Sequence, residues 1–232
     1  MIVKYLLESR LKSHSTQSLK MSLTEQLKEL AEGSIKRHPG EAQAIMKKAI
    51  DELIATDIIE NALKTGDRIP EINLPNTTGK LININSILSS GKKVVVAFYR
   101  GGWCPYCNLE LRALQQVLPE IEAKGAKLIA ISPETPNNSL TTTEKNMLEF
   151  DVLSDKDNEL VKAMNLVFKL PDSLQELYKK FGINLDTNQG NLNQELPIAA
   201  TYIIDTNGVI SYHFLEEDYK LRADPKEILS KL

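Results

Sequence analysis

The stretch FYRGGWCPYC occupies positions 98–107 and holds both cysteines of the chain, Cys104 and Cys107. The apolar run KVVVAFY at 93–99 leads into it and predicts a buried parallel strand. The two glycines of the stretch permit unusual backbone angles in a turn, and its proline is typical of the first position of a helix. The stretch therefore predicts a strand, a turn and a helix, with a C-x-x-C pair at the start of the helix.

A C-x-x-C pair at a helix start is typical of redox chemistry. The spacing brings two sulfurs within disulfide reach, and the positive end of the helix dipole favours a thiolate. We therefore interpret Cys104 and Cys107 as a dithiol that cycles with a disulfide. Two alternatives stay open. A zinc half-site would need further ligands, but the chain has no second C-x-x-C and only three scattered histidines. A pair of inert buried cysteines is disfavoured by the glycine-rich approach and by the position at a helix start.

Outward from this stretch, strands and helices alternate. This order, with one antiparallel hairpin at an Asn-Gly turn near the C-terminus, predicts an α/β sheet with a mixed edge. The hydrophobic patterns predict a first hairpin at 70–84, strands at 127–132, 152–153, 198–204 and 209–215, a surface loop at 185–195, and helices at 104–124, 138–148, 158–167, 174–181 and 225–232.

The N-terminal third predicts a helical extension. Ser22 and Glu25 fit a capping box at the start of one helix, and a second helix is expected from Pro39 to about Ala62. This pair either covers the core or forms a dimer contact. Residues 1–21 fit an amphipathic helix, a tail, or an upstream start before a true start at Met21. We expect an uncertain tail at 1–21, a helical extension at 22–65 and an α/β domain at 66–232.

The composition of the 232 residues limits the classes of function. A net charge of −3 and the lack of a basic stripe argue against nucleic-acid binding. No apolar run is long enough for a membrane span or for a secretory signal. Two cysteines are too few for a secreted disulfide scaffold. We therefore expect a cytoplasmic protein without a membrane or nucleic-acid partner.

Several further motifs surround the cysteine pair. They are GDRIP at 66–70, SPET at 132–135, LSD at 153–155, ATYIID at 200–205 and DYKLR at 218–222. With FY at 98–99, they show that the chain resembles the peroxiredoxin-like branch of the AhpC/TSA family in the thioredoxin-fold superfamily. The resemblance runs from about Leu53 to the C-terminus. It implies a thioredoxin-like fold, a central mixed sheet flanked by helices, with the helical extension at its N-terminus.

The resemblance also implies an activity and roles for residues. In the family's motif, Cys107 occupies the position of the cysteine that attacks peroxide, Cys104 that of a threonine, and Glu110 that of a glutamate. The implied enzyme is a thiol peroxidase that reduces hydrogen peroxide or organic hydroperoxides through a Cys104–Cys107 disulfide. An external dithiol, thioredoxin or glutathione/glutaredoxin, would regenerate it, and no cofactor or metal is expected.

The chain departs from the family's pattern at two positions, and this leaves the order of attack open. Cys104 replaces the threonine that helps to activate peroxide, and Ala199 stands where the family has an arginine and thioredoxins have a cis-proline. Thioredoxin logic makes Cys104, expected to be the more exposed sulfur, the nucleophile instead. A general thiol–disulfide oxidoreductase and a redox-switched interaction protein are therefore alternative functions.

Four further side chains are supporting candidates. Arg100, at the family's proline position, would be a substitute cation beside the thiolate or a solvated surface group. Trp103 would shape the reactive surface or pack in the core. Glu110 would orient Arg100 or Arg112, or be a surface carboxylate. Thr201 would face the cysteine pair or be structural.

Overall fold

The structure is a computed structural model that describes residues 21–38 and 40–232. The three interpretations of the N-terminal tail concern residues that, except for Met21, lie outside the described ones. Pro39, the expected start of the second helix, lies outside them as well. Within the described residues, no helix is both long and apolar enough to cross a lipid bilayer.

A five-stranded mixed sheet forms the centre of the molecule. From edge to edge its strands are Asp151–Ser154 (β5), Ala126–Ser132 (β4), Lys93–Phe98 (β3), Ala199–Ile204 (β8) and Ile210–Glu216 (β9). Strand β3 pairs in parallel with β4 and antiparallel with β8, so the strand that leads to the cysteines is central. Its residues from Val94 to Phe98 are fully buried. This arrangement confirms the predicted α/β class and the central mixed sheet.

Two small hairpins accompany the central sheet. Strands β1 (Asn73–Pro75) and β2 (Leu81–Asn83) form the predicted first hairpin. Strands β6 (Val167–Lys169) and β7 (Glu195–Pro197) pair antiparallel far from one another in sequence.

Eleven helices are present in the described part of the chain. They are Leu23–Arg37 (α1), Glu41–Ile54 (α2), Ile58–Asn61 (α3), Ile84–Ser89 (α4), Pro105–Gln116 (α5), Leu118–Ala123 (α6), Pro136–Asn146 (α7), Glu159–Ala163 (α8), Asp172–Lys180 (α9), Leu185–Gln189 (α10) and Pro225–Lys231 (α11).

The predicted capping box is confirmed at the start of α1. The Ser22 hydroxyl accepts a hydrogen bond from the Glu25 backbone N–H, and the Glu25 carboxylate accepts one from the Ser22 backbone N–H. Leu23 and Leu27 of this helix are buried in the same apolar cluster as the two cysteines. Helix α1 is therefore part of the wall around the cysteine pair.

Three sequence predictions of local structure were wrong or incomplete. The expected long second helix is divided into α2 and α3, because Asp57 adopts a left-handed conformation with φ 54°. The expected helix at 158–167 ends at Ala163, and residues from Val167 form β6. The expected loop at 185–195 contains α10, which the Asn184 side chain caps, and the first residue of β7. In the first two segments a local conformation or a distant strand partner overrides the hydrophobic period. In the third, which was predicted from its polar composition, the Asn184 cap stabilises a short helix.

The predicted helix at 104–124 likewise consists of two helices, α5 and α6, which meet at Val117 two residues before Pro119. A proline inside a helical segment interrupts the helix, because it lacks a backbone N–H and its ring clashes with the preceding turn, and this explains the break. Helix α5 begins directly after the turn that follows β3. The carboxyl end of β3 and the N-terminus of α5 therefore meet at one point, and the two cysteines lie there.

Candidate active site

Cys104 and Cys107 lie on the first turn of α5. Cys104 is the N-cap residue, Pro105 follows at the first helical position, and Cys107 is three residues beyond the cap. Both cysteines are free thiols, and both side chains are fully buried. The expectation that Cys104 is the more exposed sulfur was therefore wrong, because neighbouring side chains cover the helix start.

Each sulfur is contacted by its own guanidinium group. Arg100 donates from Nη2 to the Sγ of Cys104 at 3.2 Å. Arg222, between β9 and α11, donates from Nη2 to the Sγ of Cys107 at 3.2 Å. A cation at hydrogen-bond distance favours the charged form of a thiol. The site is therefore built to hold at least one thiolate away from water.

Aromatic side chains hold Arg100 in place. Its Nη1 donates to the Tyr178 hydroxyl at 3.0 Å, and its guanidinium carbon lies 3.8 Å from the centre of the Tyr219 ring and 5.1 Å from that of Trp103. Only 4% of Arg100 is exposed. The alternative that Arg100 is a solvated surface group was therefore wrong, and cation–π contacts together with the Cys104 contact compensate for its burial.

Arg222 is held by Glu110. Its Nε donates to the Glu110 carboxylate at 2.7 Å, and its Nη1 donates to the backbone carbonyls of Tyr219 and Leu221. Glu110 is 1% exposed, so its interpretation as a surface carboxylate was wrong. It pairs with neither Arg100 nor Arg112. Burial raises the pKa of Glu110 to about 7, although the Arg222 guanidinium opposes this shift.

The two thiols have opposite protonation tendencies. Burial by itself raises the pKa of Cys104, but a hydrogen bond from the Cys107 thiol and the charges of Arg100 and Arg222 lower that pKa well below its usual value. Burial and the neighbouring Cys104 sulfur raise the pKa of Cys107. These opposite directions favour the thiolate on Cys104 and the neutral thiol on Cys107.

A buried carboxylate fixes the turn before the cysteines. Glu134, just after β4, accepts a hydrogen bond from the Gly102 backbone N–H at 2.9 Å. Asn108 holds the same turn from α5, since its Nδ2 donates to the Gly102 carbonyl at 2.8 Å and to the Cys104 carbonyl at 3.1 Å. Burial raises the pKa of Glu134 to about 7. Glu134 belongs to the SPET motif at 132–135, and no role was predicted for it.

The remaining predicted site residues surround the pair. Trp103 is half-buried and makes an edge contact with the Tyr178 ring at 5.4 Å. Thr201 is buried in β8, and its hydroxyl lies next to the Glu110 carboxylate. Ala199 begins β8 and pairs with Glu216. The guanidinium group beside Cys107 therefore comes from Arg222. Ala199 occupies the position at which the family has an arginine, and it supplies none.

Comparisons with known proteins identify the family. The profile described as AhpC/TSA family matches residues 65–213, which is more than half of the chain. The chain belongs to the AhpC/TSA family. This confirms the resemblance drawn from the sequence motifs.

Individual relatives agree with this assignment. A Bcp protein of Buchnera aphidicola is 39% identical over 104 residues, which are 45% of this chain and 65% of the relative. The protein named Peroxiredoxin Bcp of Escherichia coli K12 is 31% identical over 106 residues, which are 46% of this chain and 67% of the relative. These alignments thus span about two thirds of each relative.

A solved structure shows the same fold. The structure of Peroxidoxin BcpB from Mycobacterium tuberculosis superposes with a TM-score of 0.57 at 20% identity, over 73% of this chain and 96% of that chain. This likeness confirms the thioredoxin-like fold of the central sheet and its flanking helices.

Part of the site lies outside the region that the family profile matches. The match ends at residue 213, so Tyr219 and Arg222 are beyond it, and the helices α1 to α3 precede it.

Sequence reasoning missed the roles of Arg222, Tyr178 and Glu134. The DYKLR motif at 218–222 was a signal for Arg222, but no spacing rule links it to Cys107, 115 residues away.

Proposed function

We propose that this protein is a peroxiredoxin-like thiol peroxidase that reduces hydroperoxides through Cys104 and Cys107. One observation carries the proposal: two buried thiols share the first turn of α5, and each accepts a hydrogen bond from its own guanidinium group at 3.2 Å. Membership of the AhpC/TSA family and the relatives named as peroxiredoxins support the same activity.

The residues can perform this chemistry in two steps. A thiolate attacks the terminal oxygen of a hydroperoxide, the O–O bond breaks, and the sulfur becomes a sulfenic acid while the other oxygen leaves as an alcohol or as water. The second thiol then attacks the sulfenic sulfur, an S–S bond forms, and the hydroxyl leaves as water. The protein has lost two electrons and the peroxide has gained them.

Regeneration needs an external dithiol. A thiolate of the reductant attacks one sulfur of the disulfide and forms a mixed disulfide. A second reductant thiol, from the same dithiol or from a second glutathione, then attacks the mixed disulfide, and both protein thiols are released. We propose thioredoxin or glutathione/glutaredoxin as this reductant. A reducing cytoplasm supplies both, and we propose that compartment for the protein.

Peroxide consumption by the reduced protein tests the proposal. We expect hydrogen peroxide or cumene hydroperoxide to disappear with the loss of about two free thiols per peroxide. Cys104→Ser and Cys107→Ser should each block formation of the intramolecular disulfide, and the double variant should consume no peroxide. Consumption by the wild type no faster than by free cysteine would contradict the proposal.

A second candidate function is a general thiol–disulfide oxidoreductase. It is favoured by the placement of Cys104 at the N-cap and of Cys107 three residues later, and by the lowered pKa of Cys104 beside Arg100. Reduction of insulin in the presence of dithiothreitol tests this function. Rapid insulin precipitation without peroxide consumption would favour it over the peroxidase.

A further inference from the structure

Glu134 is a buried carboxylate that neither step of the peroxidase chemistry uses. Only 3% of it is exposed. No lysine, arginine or histidine among the described residues forms an ion pair with it. Burial of a carboxylate without a cation costs stability, so the groups that this carboxylate does contact indicate what it is for. They are the Gly102 backbone N–H at 2.9 Å and the Thr142 hydroxyl at 3.5 Å.

The topology of the sheet places Glu134 beside the active-site turn. Strands β3 and β4 are parallel neighbours, so their carboxyl ends lie at the same edge of the sheet. The turn after β3 carries the chain from Arg100 to Cys104, and the segment after β4 carries Glu134. The residue that Glu134 contacts, Gly102, is the middle one of these five turn residues. The carboxylate therefore holds the turn at its centre, between the guanidinium group and the sulfur.

This turn needs to be held because it contains two glycines. Gly101 has φ 148°, and a Cβ atom on it would lie 2.8 Å from the Oε1 of Glu134. Glycine permits this compact turn, but it also gives the backbone access to many other conformations. Glu134 fixes the N–H of Gly102, and the Asn108 side chain fixes its carbonyl at 2.8 Å. Together they remove the freedom that the glycines introduce, and the hydrogen bond to the ionised carboxylate is the stronger type.

The shape of the turn decides how closely its two ends approach. The Cys104 backbone N–H donates to the Gly101 carbonyl at 3.1 Å and closes the turn. In this closed form the Nη2 of Arg100 lies 3.2 Å from the Sγ of Cys104. The charge of Arg100 is one of the causes that lower the pKa of Cys104. An open turn would separate the cation from the sulfur and would raise that pKa.

We propose that Glu134 is a positioning residue for the Cys104 thiolate and that it acts through the Gly102 backbone, which keeps Arg100 against the sulfur. Its consequence for peroxide reduction rests on the proposed function, whereas the effect on the thiolate does not. The negative charge of Glu134 by itself has the opposite effect, since an anion near a thiol disfavours the thiolate. The sign of the change in the pKa of Cys104 therefore distinguishes positioning from charge.

Three substitutions of Glu134 separate reach from charge. Glu134→Ala removes both, Glu134→Asp keeps the charge on a side chain one methylene shorter, and Glu134→Gln keeps an acceptor oxygen without the charge. We expect Glu134→Ala and Glu134→Asp to raise the pKa of Cys104 by about 1–3 units, and Glu134→Gln to leave it unchanged or lower it. An effect of charge alone would lower this pKa in Glu134→Ala and leave it unchanged in Glu134→Asp.

The measurement is a pH titration of the thiolate by its ultraviolet absorbance. It uses the reduced full chain with Cys107→Ser, in which Cys104 is the single cysteine. The serine hydroxyl takes the place of the Cys107 thiol as a hydrogen-bond donor to the Cys104 sulfur. Circular dichroism checks that each variant is folded, and Glu134→Asp tests the inference by itself if Glu134→Ala does not fold.

Asp155→Ala is the matched control. Asp155 is likewise a buried carboxylate after a parallel strand, β5, but its oxygens accept hydrogen bonds from the backbone N–H groups of Leu160 and Val161 in α8. Its removal should lower the stability of the protein and leave the pKa of Cys104 unchanged. A rise as large as that in Glu134→Ala would show that general loosening of the fold moves this pKa, and it would overturn the inference.

Peroxide turnover gives a second readout. In the chain with both cysteines, Glu134→Asp should lower kcat/KM for hydrogen peroxide about tenfold at pH values below the raised pKa, and the rate should approach that of the wild type at higher pH. An unchanged or lowered pKa of Cys104 in both Glu134→Ala and Glu134→Asp would overturn the inference, as would a rise in Glu134→Gln equal to that in Glu134→Ala. A wild type that reduces no peroxide would overturn the proposed function alone, because the thiol titration needs no peroxide.

Discussion

At the level of single residues, the site depends on two buried arginines, each of which contacts a different cysteine sulfur. Arg100 approaches Cys104 from the turn, and Arg222 approaches Cys107 from a segment near the C-terminus. A buried cation is costly unless it is paired, and Arg222 has Glu110 as its partner at 2.7 Å. Removal of Arg222 would therefore leave both a less stable thiolate and a buried carboxylate without its partner.

The first prediction concerns the charge of Arg222. Arg222→Gln should move the rise of kcat/KM with pH to higher pH by about 1–3 units. The reason is that the Arg222 charge lowers the pKa of both cysteine thiols, so its loss raises the pKa of whichever thiol reacts. The measurement is the rate of peroxide consumption between pH 5 and pH 9. Below the shifted pKa the variant should be slower than the wild type, and the difference should shrink as the pH rises.

Two further variants separate charge from structure. Arg222→Gln combined with Glu110→Gln removes the unpaired carboxylate and should recover stability but not the original pH profile. Arg112→Gln removes an exposed arginine of α5 that contacts Asn146 and not a sulfur, and it should leave the profile unchanged. A profile of Arg222→Gln that coincides with that of the wild type would show that Arg222 does not act on the thiol pair.

The sequence could predict the cysteine pair but not its charged surroundings. The pair is local, since strand, turn, proline and C-x-x-C follow one another within ten positions. The contact of Arg222 with Cys107 spans 115 residues and depends on how the segment after β9 folds back over α5. Burial of Glu110 and Glu134 was equally hidden, because a carboxylate on a helix or after a strand is usually exposed.

At the level of elements, the turn between β3 and α5 has no spare volume. A Cβ atom on Gly102 would lie 2.0 Å from the Oγ1 of Thr142 on α7 and 3.2 Å from its Cβ. A Cβ on Gly101 would lie 2.3 Å from the Trp103 indole nitrogen. Both distances are far shorter than van der Waals contact. The two glycines are therefore required by close packing around the turn, in addition to any demand of its backbone.

The second prediction uses this packing. Gly102→Ala should lower the free energy of unfolding by about 1–3 kcal/mol, because the new methyl group forces α7 and the turn apart. Thr142→Ala removes the atom at 2.0 Å, so the double variant should be more stable than Gly102→Ala alone. Urea unfolding of the reduced proteins measures both effects. Additive losses in the double variant would contradict the steric explanation.

Element boundaries show where the sequence patterns fail. The start of α1 was predictable because its cap is formed by Ser22 and Glu25, three residues apart. The end of α2 was not, because the left-handed conformation at Asp57 interrupts a hydrophobic pattern that continues into α3. Strand β6 was missed for a different reason. Its partner β7 is distant in sequence, and only that pairing makes three residues a strand.

At the level of the whole molecule, the helical extension and the sheet share one apolar cluster. Leu23 and Leu27 of α1 pack in the same cluster as Tyr106 and both cysteines. The sequence left open whether this extension covers the core or forms a dimer contact. Its buried leucines show that it covers the core within one chain, and a further role in a dimer stays a prediction. The extension should therefore unfold together with the sheet.

The third prediction tests this cooperativity. Leu27→Ala should lower the free energy of unfolding by about 2–4 kcal/mol, because it leaves a cavity between α1 and α5. Far-UV circular dichroism and Trp103 fluorescence should shift together to a lower urea concentration, since both report one transition. Ile35→Ala is the matched control on the same helix, where 57% of the side chain is exposed, and it should change stability by less than about 0.5 kcal/mol. A loss of helical signal before any change at Trp103 would show instead that α1 unfolds by itself.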